Sequence, residues 1–136
     1  MIEYRNDLHG LTSETLTGFF TGWPNHPSES ALFSILSHSY RFVIAVDSNN
    51  GKVIGFTYAI SDGILAAYIP LLEVLPSYQG RGIGKELVRR LMESLGELYM
   101  IDVVCDEEVT PFYKTLGFYR SAGMIKRNYE QQGGRL

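Results

Sequence analysis

A chain of 136 residues, 45% hydrophobic and 20% charged, suits one domain with its own core and is too apolar for a disordered or fibrous protein. Its 12 Lys and Arg against 15 Asp and Glu give a formal charge of −3, which argues against a nucleic-acid surface. The one cysteine, Cys105, cannot form an internal disulfide, no apolar run approaches the ~18 residues of a membrane span, and with its early charges Met1 to Asp7 is not expected to be a signal peptide. A cytoplasmic location is expected, with neither a nucleic-acid nor a membrane partner, and the whole of 1–136 reads as one domain.

In chain order, a short strand is expected at Ile2 to Tyr4. Thr12-Ser13-Glu14 offers a helix start, with Leu11, Leu16, Phe19 and Phe20 as its apolar positions. Pro24 and Pro27 break the chain near Trp23; Trp23 and Tyr58 read as core residues, with lining of a ligand pocket as the second reading of each. Ser28 can cap a second helix, in which Leu32, Ile35 and Leu36 recur at helical spacing. Phe42 to Val46 and Lys52 to Ile60 are β-rich and separated by a turn ending in Asn50-Gly51; Asp62-Gly63 marks the next turn. Ile64 to Leu75 is a long apolar run interrupted by Pro70 and stopped by Pro76. Three strands joined by tight turns imply an antiparallel meander.

The strongest helix follows. Ile83, Leu87, Leu91 and Leu95 recur every four residues, with charges on the other side, and Gly96 ends it. Leu98 to Cys105 reads as a buried strand, parallel to the strand before the helix by the right-handed crossover rule. A short helix at Pro111 to Leu116, closing strands within Phe118 to Arg127 and a frayed tail from Glu130 to Leu136 complete an α/β domain with a mixed sheet.

Gln79-Gly80-Arg81-Gly82-Ile83-Gly84 lies between a strand and that helix. Glycines allow a sharp turn and close approach of backbone N–H groups, and a helix N-terminus favours an anion, so a phosphate or pyrophosphate is the natural occupant. Arg81 adds a positive charge. A dinucleotide fingerprint would need glycine where Lys85 stands, and a Walker A loop would need Ser or Thr at Glu86.

The spacing Gln79-x-x-Gly82-x-Gly84, with Leu72-Glu73-Val74-Leu75-Pro76-Ser77-Tyr78 before it and Pro111-Phe112-Tyr113-Lys114-Thr115-Leu116-Gly117-Phe118 after it, resembles the GNAT acetyltransferase superfamily. The resemblance covers residues 42 to 127 and implies a GNAT-like acyl-CoA N-acyltransferase fold, a mixed central sheet with helices on both faces. It implies acetyl-CoA as co-substrate and an amine as acceptor. On the family pattern Gln79, Gly80, Arg81, Gly82, Ile83, Gly84 and Lys85 form the pyrophosphate loop. Leu72 and Val74 flank the pantetheine arm together with Asp106 and Phe112, and Asp106 stands where many relatives have Asn. Capping of the following helix is a second reading of Asp106.

Tyr113 matches the family tyrosine that protonates the departing thiolate; packing against Phe112 and Phe118 is its other reading. Glu73 is a charge in an apolar strand, suited either to a general base or to a carboxylate that orients a cationic acceptor or pairs with an arginine. Relatives with a glutamate base often carry it where this chain has Pro70. Cys105 reads as a buried hydrophobe, and His9, His26 and His38 lack metal-ligand spacing, so no metal is expected. A CoA-binding sensor without turnover is the alternative function, and a homodimer is the assembly suggested by analogy with the family.

Overall fold

The computed structural model describes residues 1–135. Six strands form the sheet: β1 (Ile2–Arg5), β2 (Arg41–Asp47), β3 (Lys52–Ser61), β4 (Ala66–Ile69), β5 (Leu72–Val74) and β6 (Met100–Val103). Three helices accompany them: α1 (Glu29–His38), α2 (Ile83–Leu95) and α3 (Thr110–Lys114). The strand order is β1-β2-β3-β4-β6, with β5 also paired to β3. All pairs are antiparallel except β4 with β6, the two strands that flank the α2 crossover.

The turn chemistry works as the sequence suggests. Gly51 closes the β2–β3 turn at φ 73°, its amide bonding to the Asp47 carbonyl at 2.8 Å. Asp62 Oδ1 accepts from the amides of Ile64, Leu65 and Ala66, which fixes the β3–β4 turn beside Gly63. Ser28 Oγ accepts from the Ala31 amide at 3.1 Å and caps α1, a bond worth ~1 kcal/mol.

The sheet is covered on both faces. Leu87, Val88, Leu91 and Leu95 of α2 are buried, each contributing about 1.5–3 kcal/mol. Gly55 brings β3 close to that helix: a Cβ there would lie 3.1 Å from Leu87 Cδ1 and 3.4 Å from Val74 Cγ2. On the opposite face Phe56 meets the rings of Phe19 and Phe20, which pack with α1.

Five expectations are corrected. The segment after Thr12 forms a single 3-10 turn, Ser13–Leu16, because Gly18 turns left-handed at φ 92° and Phe20 follows at φ 63°. The run from Ile64 to Leu75 is two strands, since Ile64 and Leu65 belong to the turn and Pro70 has no amide for a ladder. The strand expected at Leu98 to Cys105 is only β6, Met100–Val103, because β4 offers only four partners. Residues 118–127 form no strand: from Tyr119 to Arg127 no backbone amide has an acceptor among the described residues. The expected frayed tail holds a 3-10 turn, Tyr129–Gln131, and Gln132 Oε1 accepts from the Asn25 amide at 2.9 Å; Leu136 lies outside the described residues.

Gly55→Val overpacks the β3–α2 contact and should destabilise the protein by about 1–3 kcal/mol in chemical denaturation. The loss should shrink in a Leu87→Ala background, because the two side chains compete for one space.

Candidate functional site

The site begins with an interruption in the sheet. β4 runs parallel to β6 as far as Ile69 opposite Val103, and beyond it β5 pairs with β3 alone. The Leu71 carbonyl, at the break, accepts from the buried Thr57 hydroxyl at 2.9 Å. One edge of β5 is therefore left free, on the side where β6 diverges. Phe112, from the start of α3, approaches the same place. A Cβ on Gly84 would sit 3.8 Å from Val74 Cγ2 and 3.9 Å from both Leu72 Cδ2 and Phe112 Cζ. The structure thus brings together Leu72, Val74, Gly84 and Phe112 from three separated stretches of chain.

Gly80 and Gly82 both adopt φ 79°, and Gly82 is the residue at which α2 starts. The amide of Glu86 is the first to close a helical bond, to the Gly82 carbonyl at 3.1 Å. Among the described residues, none of the amides from Gly80 to Lys85 has an acceptor. Six consecutive free N–H groups at a helix N-terminus, with Arg81 and Lys85 beside them, make a binding place for a phosphate or pyrophosphate. Ile83 contributes its backbone there and its side chain to the core.

Three tethers hold this loop. Gln79 Nε2 donates to the Val74 carbonyl at 2.9 Å, so its side chain joins the loop to β5. Tyr78 donates its hydroxyl to Asp47 Oδ2 at 2.6 Å, a bond that holds the Asp47 carboxyl below its ordinary range and pushes the phenol up. Arg81 lies over the Tyr78 ring, 5.2 Å from its centroid. Nothing in the sequence pattern links Asp47 to Tyr78, since 30 residues separate them; only the sheet brings them together.

Tyr113 is 6% exposed and packs edge-on against Phe112 and Phe118. Burial, and then the neighbouring Cys105, push its phenol up to about 12. It makes no hydrogen bond among the described residues, yet no buried side-chain oxygen or nitrogen there is left without a partner, so its hydroxyl retains a path to solvent. Packing and access are both present. Cys105 is held as a thiol by burial and by the charges of Asp106 and Glu107. Asp106 stands at the start of the 3-10 turn Glu107–Val109, but its side chain makes no capping bond; its carbonyl accepts from the Val109 amide at 2.9 Å.

Glu73 has a definite job. Its Oε1 accepts from the Phe20 amide at 2.8 Å, and its Oε2 from the Thr21 amide at 3.3 Å. No arginine pairs with it among the described residues, which removes that reading. Phe20 is the one described non-glycine residue at positive φ, a conformation costing of order 1–3 kcal/mol for an aromatic side chain. The Glu73 carboxylate holds that turn against β5. Beside it opens a cleft of about 440 Å³ walled by Thr21, Trp23, Leu71, Leu72, Glu73 and Gln79. Trp23, expected in the core, is 37% exposed and lines this cleft; Tyr58 is in the core. Among the described residues no three His, Cys, Asp or Glu side chains form a metal-holding group, and no helix is long and apolar enough to cross a membrane.

A free strand edge, a glycine loop of unpaired amides and a cleft across the sheet define a class of α/β protein built to hold an extended phosphate-bearing molecule beside a second ligand. The chain belongs to the Acetyltransferase (GNAT) family, whose model matches residues 8–118. It is 39% identical over 87 residues to GCN5-related N-acetyltransferase 3, chloroplastic, of Arabidopsis thaliana; the match covers 62% of this chain and 37% of that protein. A solved structure from Deinococcus radiodurans R1, assigned as an acetyltransferase, is 48% identical with a TM-score of 0.96, covering 98% of this chain and 93% of that one. Aminoglycoside N-acetyltransferase AAC(6')-Iy, solved in complex with CoA, shares the fold at 20% identity and a TM-score of 0.68, with 94% of each chain covered.

Removing the carboxylate in Glu73→Ala strands the Phe20 amide and frees a strained turn, so stability should fall by about 1–3 kcal/mol in urea titration. Glu73→Gln, which keeps one acceptor oxygen, should lose less than half of that.

Proposed function

We propose that this protein is an acetyl-CoA-dependent N-acetyltransferase that moves an acetyl group to a primary amine by direct attack. The observation that carries the reading is the row of six unpaired amides, Gly80 to Lys85, set against the free edge of β5. The amides suit the pyrophosphate of CoA, and the β5 edge between Leu72 and Val74 offers backbone groups to an extended pantetheine arm, with Phe112 and Asp106 at its far side. Acetyl-CoA, when bound, supplies the thioester carbonyl, and the products are an N-acetylated amine and free CoA thiol.

The chain's own groups divide the remaining work. Trp23, Thr21 and Leu71 wall the acceptor cleft, and Glu73, on the same wall, takes the proton that the amine gives up. Tyr113 holds a proton for the departing thiolate. A phenol pushed up to about 12 is a weak acid, so its contribution is a positioned hydrogen bond that becomes a proton transfer only as negative charge builds on sulfur. The unused thiol of Cys105, itself held protonated, fits direct attack rather than an acyl-cysteine route. The acceptor is a small-molecule amine or an amine of a protein or peptide. A cytoplasmic homodimer completes the reading.

Calorimetric titration with acetyl-CoA, followed by thiol release across an amine panel, tests the proposal. Binding with release supports it; binding without release from any amine would identify a sensor, and no binding would end it. Gly82→Val should weaken acetyl-CoA binding about tenfold or more, ~1.4 kcal/mol, because a β-branched residue resists the left-handed turn that aims the amides.

Tyr113→Phe should lower kcat on the order of 10²-fold with little change in the KM for acetyl-CoA. Burial raises the Tyr113 pKa, so the neutral phenol stabilises the fold fully below its unfolded pKa of ~10, and that stability is lost as pH rises through about 12. In wild type, kcat should show no alkaline fall owed to Tyr113 below pH ~10. Glu73→Gln should lose activity most at low pH, where the amine most needs a base.

A further inference from the structure

The stretch that carries Thr21 and Trp23 to the acceptor cleft is exposed along its length, from Thr21 to His26. At its near end Glu73 takes the amides of Phe20 and Thr21. The Trp23 amide then closes a turn on the Phe20 carbonyl at 3.1 Å. Gly22, inside that turn, stands at φ 85°, and a Cβ there would meet nothing within 4 Å. A glycine in open space is a natural pivot. Past it, Trp23 and His26 both pack on the Phe20 ring, with centroids 5.0 and 6.2 Å away.

Beyond Trp23, one hydrogen bond joins this stretch to another part of the chain among the described residues. The Asn25 amide donates to Gln132 Oε1 at 2.9 Å. Gln132 and Gly133 are half-buried, after an exposed run from 119 to 131. A Cβ on Gly133 would lie 3.5 Å from the Asn25 carbonyl oxygen and 3.8 Å from that of His26. Gln132 has a mount of its own. Asn128 Oδ1 accepts from the Glu130 amide at 3.2 Å, the Gln131 amide donates to the Asn128 carbonyl at 3.0 Å, and the Gly134 amide donates to the Gln131 carbonyl at 3.0 Å.

Backbone stiffness carries this tie to the cleft. In Trp23-Pro24-Asn25-His26-Pro27 each proline fixes its own φ and restricts the residue before it to extended backbone. With the Asn25 amide held, Pro24 leaves little freedom between it and the indole two residues earlier. Glu73 pins one end of the stretch and Gln132 the other, with the Gly22 pivot between them.

We infer that Gln132 is a positioning residue for the acceptor wall: it holds Asn25, and through Pro24 it sets where Trp23 stands in the cleft. It thereby sets affinity for the acceptor amine, an inference that rests on the acceptor cleft assigned above. The donor loop has separate tethers through Gln79 and Tyr78, so acetyl-CoA binding does not depend on Gln132.

Trp23 is the only tryptophan in the chain, so its fluorescence reports on this wall without any turnover. In Gln132→Ala, acrylamide should quench that emission more strongly than in wild type. The KM for the best amine of the panel should rise about fivefold, the equivalent of one net hydrogen bond, with kcat and the calorimetric affinity for acetyl-CoA unchanged. Gln132→Glu keeps an acceptor oxygen and should retain wild-type quenching and KM. Equal quenching in Gln132→Ala and wild type overturns the proposal, as does an acceptor KM that does not move. A loss of acetyl-CoA affinity in Gln132→Ala, or a Gln132→Glu variant that behaves like the alanine, overturns it as well. A wild type that acetylates no amine would end the proposed function instead; quenching alone would then decide whether Gln132 positions Trp23.

Discussion

The break at Pro70 and Leu71 is the constraint on which the site depends. A strand continuing past Ile69 in register with β6 would satisfy every backbone group and leave no free edge. Proline removes one amide from that ladder, and the Thr57 hydroxyl donates to the Leu71 carbonyl, so that carbonyl keeps a partner where the backbone leaves β6. β5 then belongs to β3 alone. The edge it frees lies next to the N-terminus of α2, and the site arises where the two meet.

Holding that meeting point is a packing problem. Gly55 lets α2 settle onto β3 beside Val74, and Leu87, Leu91 and Leu95 fix its depth. Gln79 ties the loop to the strand, and Tyr78 ties it to the end of β2 through Asp47. A loop of glycines would otherwise lose much entropy on binding an anion. Tethered at both sides, it presents its amides in an arrangement already set before a ligand arrives.

The opposite wall uses strain instead. Phe20 is held at positive φ by a carboxylate from the next layer, and that turn carries Thr21 and Trp23 to the cleft. Glu73 was legible in the sequence as an anomaly, a charge in an apolar strand, but its use as an acceptor for residues 20 and 21 was not. Hydrogen bonds between positions 53 residues apart leave no periodic trace. Trp23 misled for the same reason: an aromatic residue just before Pro24 reads as core, and only the turn pinned by Glu73 places it at the surface.

The sequence by itself determined the local elements and the donor loop. Helical periodicity set α2 from Ile83 to Leu95, Asn-Gly and Asp-Gly pairs set the turns, and glycine spacing marked where an anion can be held, because each depends on neighbours a few residues apart. The tertiary structure alone decided which edge of the sheet stays open, what Glu73 and Tyr78 hold, and that residues 119–127, expected to close the sheet, pair with no strand among the described residues. Strand pairing and clefts are made by residues distant in sequence, and a segment's own composition does not say which neighbour, if any, the fold will give it.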